Sequence, residues 1–160
     1  MAIGTEIERK FLLDGLPPQL AFARRTAILQ GYVALDGDTE VRVRRTPRAD
    51  TLAIKHGGGG VRVEEELELG SRQADALWEL TEGRRVQKTR RMMRVEGLEV
   101  SVDEYVGELA GLVVAEVEFD DEQASREFMP PAWFGREVTG EPGYANRSLS
   151  VDGRPPADDA

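Results

Sequence analysis

The chain has 160 residues, 40% of them hydrophobic and 32% charged, with no cysteine and a formal net charge of −9. That length accommodates one domain with a real core, and the missing cysteines exclude disulfides and thiolate metal sites. The absence of a run of about 18 apolar residues excludes a membrane-spanning helix, and the acidic balance argues against a nucleic-acid duplex as partner, because duplex binding needs basic surface to displace counterions.

The N-terminus has neither a basic segment nor an apolar core, so no secretory leader is read and a cytoplasmic location is the default. Residues 4–13 alternate as a strand, and Asp14-Gly15-Leu16-Pro17-Pro18 breaks it. A short helix or turn follows to residue 23, then a strand over 25–35. Asp36-Gly37-Asp38 is a tight-turn signal into a strand over 39–47. A strand over 51–56 runs into four glycines, 57–60, which form a flexible link to a strand over 61–69. Residues 71–82 carry Ala74, Leu77 and Trp78 at helical spacing, with Ser71 as expected N-cap and Gly83 as the stop. Strands over 84–95 and 98–106 are joined by Glu96-Gly97, and a strand over 112–119 precedes a helix over 120–128 that Pro130-Pro131 ends. A helical segment is expected near Tyr144–Leu149. Residues 1–151 read as one domain and 152–160 as a disordered tail. Eight strands with short turns and few helices imply a mainly β, α+β fold, an antiparallel barrel or closed sheet with helices outside.

The alternation itself is informative. Glu6, Glu8 and Lys10 share one face of the first strand, with Ile7 and Phe11 behind them. Glu40, Arg42 and Arg44 oppose Val41 and Val43. Lys55 opposes Leu52 and Ile54. Arg62, Glu64, Glu66 and Glu68 oppose Val63, Leu67 and Leu69. Lys88 aligns with Arg90, Glu99 and Ser101 with Asp103, and Glu116 with Glu118. Two architectures fit: charges outside in water around an apolar barrel core, or charges inside with the apolar faces packed outward under helices. The charges are also sorted, bases on the strands holding residues 42–55 and 88–90, acids on those holding 64–66, 103 and 116–118. A merely solvated surface gains little from such sorting.

If the charged faces converge, two carboxylates about 5 Å apart repel by roughly 3 kcal/mol at an effective dielectric of about 20. Several such pairs require protonation or bound cations. Hard divalent cations on oxygen ligands are the natural remedy, which points to Mg²⁺ or Mn²⁺. His56, the single histidine, has the parity of the apolar face, so a zinc site of the usual kind is not expected. The basic half suits an oxygen-rich anion. Carboxylates holding a metal opposite arginines and lysines form the combination that phosphoryl transfer needs.

Glu6-x-Glu8-x-Lys10, followed in order by Arg42-Val-Arg44, Leu52-Ala-Ile-Lys55, Glu64-x-Glu66, Lys88-Thr-Arg90, Asp103 and Glu116-Val-Glu118, resembles the CYTH superfamily, the triphosphate tunnel metalloenzymes. The stretches Thr81–Arg90 and Pro130–Gly135 look most like its small bacterial inorganic triphosphatases. The resemblance spans roughly residues 5–149. It implies an eight-stranded antiparallel closed tunnel with a charged interior and metal-dependent hydrolysis of a triphosphate, above all inorganic tripolyphosphate. It also implies roles: Lys10, Arg42, Arg44, Lys55, Lys88 and Arg90 on the triphosphate, and Glu6, Glu8, Asp103, Glu116 and Glu118 on the metal side, with Glu64 and Glu66 contributing. Lys88, with Glu6 and Glu8, is expected to be catalytic, Lys88 by orienting the attacking water. A class IV adenylate cyclase, a thiamine or nucleoside triphosphatase, and a polyphosphate-binding module without turnover are the alternatives, and a homodimer is compatible with the chain. One departure is Tyr144-Ala-Asn146-Arg147-Ser148 where related chains often have a Tyr-x-Asn-Lys-like run, which opens the question of a rim contact at Arg147.

Overall fold

A computed structural model describes residues 2–4, 6–57 and 62–157. Met1, Thr5, the loop glycines 58–60, Val61 and the last part of the expected tail, 158–160, lie outside them. The strands are β1 (Ala2–Gly4), β2 (Ile7–Leu13), β3 (Arg25–Asp36), β4 (Thr39–Arg45), β5 (Asp50–His56), β6 (Arg62–Leu69), β7 (Arg85–Val95), β8 (Leu98–Tyr105) and β9 (Val113–Phe119). They form one antiparallel sheet in the order β1-β6-β5-β4-β3-β7-β8-β9-β2. Among the described residues, three α-helices complete the fold: α1 (Ser71–Glu79), α2 (Glu122–Glu127) and α3 (Asn146–Asp152).

Most turns follow from local chemistry. Glu96 and Gly97 both have positive φ, 52° and 80°. That is the geometry of a two-residue hairpin whose twist matches its strands. The expected N-cap of α1 moves by one residue. Gly70 precedes the helix, and its N–H donates to the Gln73 side chain at 3.0 Å, while Ser71 is the first helical residue. α1 also stops at Glu79, three residues short of the expected end, and continues as turns. Asp121 caps α2 by accepting from Ala124 N–H at 2.7 Å.

The sheet departs from the expected closed eight-stranded barrel. The opening strand is divided in two: β1 pairs with β6 and β2 with β9, so one short stretch supplies both edges. No hydrogen-bonded ladder joins these edges among the described residues. The free edge of β2 is instead taken by the chain near residues 135–139. Leu12 N–H donates to Arg136 O, Gly135 N–H to Leu12 O and Val138 N–H to Lys10 O, at 2.8–2.9 Å. Gly135 is required there, since a Cβ would lie 2.5 Å from Leu12 O. The edge is thus satisfied without a tenth full strand.

Two apolar clusters decide which face is inside. The outer faces of β2, β8 and β9 present Phe11, Val100, Val102, Ala115 and Val117, and Phe128 and Phe134 lie over them. Phe11 and Phe134 ring centroids are 4.9 Å apart. Burying each such side chain contributes roughly 1.5–3 kcal/mol, enough to commit this face to packing. The second cluster lies on the opposite face of the same sheet. Val86, Tyr105 and Val114 meet Val138, Tyr144 and Leu149 from the C-terminal segment and α3. The inner face is therefore charged over part of its length and apolar at the end where α3 sits, rather than charged throughout. Behind β3, Gly31 lets the turn that follows α1 approach closely: a Cβ would meet the Thr81 side chain at 2.6 Å.

Candidate active site

The charged inner faces surround a cavity of about 260 Å³. Glu6, Glu8, Lys10, Arg42, Arg44, Lys55, Glu64, Glu66, Lys88, Arg90, Glu116 and Glu118 all contribute to its wall, joined by Tyr32, Glu40 and Asn146. Asp103, also expected at the site, lies buried behind Lys88 and Arg90.

The cationic wall is built by β4 and β7 with β3 between them. Register places Arg42 beside Tyr32 and Arg44 beside Gln30, while Lys88 lies across from Ile28 on β3's other side. Asp103, on β8 opposite Arg90, holds the far end. Its carboxylate accepts from Arg90 Nε and Nη2 at 2.7 and 2.8 Å and lies 2.8 Å from Lys88 Nζ. Lys88 is 2% exposed. Burial pulls its ammonium down to about 8, and the Asp103 charge opposes that fall. Burial works against the Asp103 carboxylate too, but Lys88 and Arg90 outweigh it and hold the group well below the usual range. Arg44 comes down to about 10 through burial and the repulsion of Arg42 and Arg90. The Arg42 Nε is buried with no hydrogen-bond partner, which leaves a donor toward an anion in a cavity whose wall Arg42 forms.

The acidic wall is built by β2 and β9, with Glu8 across from Glu118 and Lys10 across from Glu116. Carboxylate oxygens of Glu8, Glu116 and Glu118 lie within 4.8 Å of one another. Burial, then its contacts with Glu116, push Glu8 up to about 8. Glu116 moves down despite burial, chiefly because Glu8 hydrogen-bonds to it and then because of the Lys10 charge. Of the pair, Glu8 is the carboxyl whose protonated form is favoured and Glu116 the one whose charged form is favoured. Glu118 is raised by burial and by Glu116. Three convergent hard oxygen donors, too close to remain all charged, suit a divalent cation such as Mg²⁺ or Mn²⁺.

The remaining predicted residues sit apart from this trio. Glu6 is more exposed and lies 3.9 Å from Lys55 Nζ, and Glu64 lies 3.7 Å from the same ammonium. Glu66 faces Ala53 in register and Lys55 faces Glu40. Lys10 Nζ is 4.0 Å from Glu116 Oε2 and donates to Tyr144 O at 3.3 Å. His56 is exposed, its Nδ1 2.7 Å from Thr39 Oγ1. Arg147 does make a rim contact, donating to Gly37 O at 2.9 Å and lying 3.8 Å from Glu40.

Several wall residues were not singled out by the charge pattern. Tyr32 and Gln30 share β3's inner face, and the period of 2 through residues 28, 30 and 32 carried that information. Asn146 reaches the cavity from α3 and accepts from Tyr105 O–H at 2.5 Å. The sequence pointer to it was the Tyr-x-Asn run at 144–146, not the charge pattern.

No protein-family model matches the chain. The inorganic triphosphatase of Nitrosomonas europaea is 39% identical over 149 residues, covering 92% of this chain and 97% of that one. The inorganic triphosphatase of Acetivibrio thermocellus is 40% identical over 149 residues, covering 92% and 94%. The crystal structure of the inorganic triphosphatase NE1496 is similar with a TM-score of 0.74 and 35% identity, over 95% of this chain and 98% of that one.

Proposed function

This chain belongs to the inorganic triphosphatases of the CYTH superfamily, and we propose that it hydrolyses inorganic tripolyphosphate to pyrophosphate and orthophosphate in its charged cavity, with Mg²⁺ or Mn²⁺ as cofactor. The observation that carries this reading is the meeting, across one cavity, of Arg42, Arg44, Lys88 and Arg90 with the Glu8, Glu116 and Glu118 carboxylates. An anion site alone gains nothing from three convergent carboxylates, and a cation site alone gains nothing from four bases.

In this reading the nine-stranded sheet serves as the family's closed tunnel around the substrate. Arg42 and Arg44 grip phosphate oxygens with planar forks, and Lys10, Lys55 and Arg90 balance the remaining negative charge. Glu8, Glu116 and Glu118 would hold the divalent cation, with Glu6, Glu64 and Glu66 toward the Lys55 side. When bound, the cation neutralises phosphate oxygens and lowers the barrier to attack. Asp103 acts through its partners: it fixes Lys88 and Arg90 rather than serving the metal. Lys88, held at 2.8 Å from Asp103, orients the attacking water toward the phosphorus. The water's oxygen forms the new P–O bond while the phosphoanhydride P–O bond breaks to leave pyrophosphate, and the water's proton passes to a phosphate oxygen or to solvent.

A phosphate-release assay with Mg²⁺ or Mn²⁺ tests this on tripolyphosphate, ATP, thiamine triphosphate and pyrophosphate. Cation-dependent release fastest on tripolyphosphate is the expected result. Release from none of the four overturns the reading.

A further inference from the structure

Two of the arginines in the cationic wall are immobilised by different chemistry. Arg90 is clamped by a carboxylate, through two hydrogen bonds to Asp103. Arg44 is clamped by a neutral amide: its Nε and Nη2 donate to the single Oε1 of Gln30 at 3.1 and 3.0 Å. Arg44 makes no salt bridge to a carboxylate among the described residues. A carboxylate partner fixes a guanidinium and cancels its charge. An amide fixes it and leaves the charge whole.

The orientation of that amide is determined by its neighbours. A guanidinium only donates, so the oxygen of Gln30 must face Arg44. Its nitrogen then faces Tyr32 and donates to the hydroxyl at 3.1 Å. Gln30 is 0% exposed and Tyr32 1%. Both are locked in register, Gln30 opposite Arg44 on β4 and Val86 on β7. The amide thus satisfies its donor and its acceptor sides without water, as a buried polar group must. β3 is flanked by the two most basic strands of the cavity, yet its own inner face at 28, 30 and 32 carries isoleucine, glutamine and tyrosine. A cation at 30 would add repulsion, and an anion would quench the field of the wall.

We infer that Gln30 is a positioning residue for the proposed triphosphate site, one that fixes the Arg44 fork while leaving its full positive charge for the substrate. This rests on the tripolyphosphatase reading above. Its consequence is specific: charge at position 30, and not shape alone, sets the affinity for the anion.

Gln30→Glu and Gln30→Met separate the two parts of this role. The first keeps an acceptor for Arg44 and adds a negative charge. The second keeps the approximate length and neutrality and removes the acceptor. Binding of tripolyphosphate is measured by calorimetry with a chelator present, so that no turnover intervenes, and KM and kcat are measured separately with Mg²⁺. Gln30→Glu should raise the Kd for tripolyphosphate at least about tenfold, as expected for cancelling a charge-assisted contact. Gln30→Met should lower kcat/KM by about tenfold because the fork loses its alignment, with less effect on Kd than Gln30→Glu. A purely structural role predicts lower melting temperatures in both variants and an unchanged Kd for the folded fraction. Gln30→Glu binding tripolyphosphate as wild type does overturns the inference. If Gln30→Glu does not fold, Gln30→Met with wild-type kcat/KM overturns it. A wild-type protein that binds no tripolyphosphate overturns the functional reading instead, so the two failures are distinguishable.

Discussion

The two walls of the cavity solve the same problem in opposite ways. The cationic wall crowds Arg42, Arg44, Lys88 and Arg90 together; Asp103 offsets the repulsion at Lys88 and Arg90, and Gln30 holds Arg44 in place without cancelling its charge. The acidic wall crowds Glu8, Glu116 and Glu118 within 4.8 Å, and among the described residues its ion pair is with Lys10, 4.0 Å from Glu116. The repulsion shows in Glu8, which burial and Glu116 push up to about 8, toward its protonated form. The first wall is organised before anything binds. In the proposed reading, a cation would take the place of that proton on the second. The difference teaches that preorganisation and ligand demand can be read from how like charges are partnered, not from how many there are.

The largest effect that would break this comparison is at Asp103. Asp103→Asn leaves the buried Lys88 ammonium without its counter-charge and should destabilise the protein by about 3–5 kcal/mol, measured by denaturant unfolding. A loss below about 1 kcal/mol would mean that the cationic wall is not held from within. Glu118→Gln is the matching change on the other wall. It relieves repulsion, so stability without metal should hold or rise slightly. Metal-dependent phosphate release should fall by about 100-fold or more, and the rise in melting temperature on adding Mg²⁺ should shrink. Parallel losses of stability at Asp103 and Glu118 would erase the distinction between the walls.

Protons sharpen it further. The folded pKa of Glu8, about 8, lies above its ordinary 4.5. Such a raised group favours the fold fully below the unfolded value, and that contribution is lost as pH rises through about 8. Without a divalent cation, stability should therefore decline from this group between those pH values. Cation uptake at pH 6 should release about one proton and almost none above pH 9, which calorimetry in buffers of different ionisation enthalpy reads directly. Lys88 works in the other direction. Its charge is lost above about 8, so tripolyphosphate binding should weaken as pH rises past that point. The smallest effect lies behind the cationic wall. Gly31→Ala forces Thr81 and the turn that follows α1 outward from β3 and should cost about 1–3 kcal/mol, seen as a lower melting temperature without loss of the metal-induced shift.

Much of the site was legible because strands have a period of 2. Glu8 and Lys10, Arg42 and Arg44, Lys88 and Arg90, and Glu116 and Glu118 share faces in the chain and in the fold. Asp103 was grouped with the acids on parity and charge, yet it lies among the bases, because β8 runs between β7 and β9 and its residue 103 meets Arg90 in register. Parity names the face but not the neighbour. Tyr32 and Tyr105 had no charge to mark them, and both face inward. The strand count missed the division of the opening strand, because Glu6 sits between two pairings that only the rest of the sheet supplies.

The sequence by itself determined the strands, their order of charges, and a chemistry of anion and divalent cation. These are local properties: alternation, turn residues and the sorting of acid from base. Only the tertiary structure decided that the charges face inward, since Phe128 and Phe134 cover the apolar outer faces of β2, β8 and β9. It also decided that α3 and Tyr144 seal one end of the interior with apolar side chains, and that an amide rather than a carboxylate holds Arg44. Contacts between residues far apart in the chain depend on register and packing across the whole sheet, and no stretch of the chain encodes them alone.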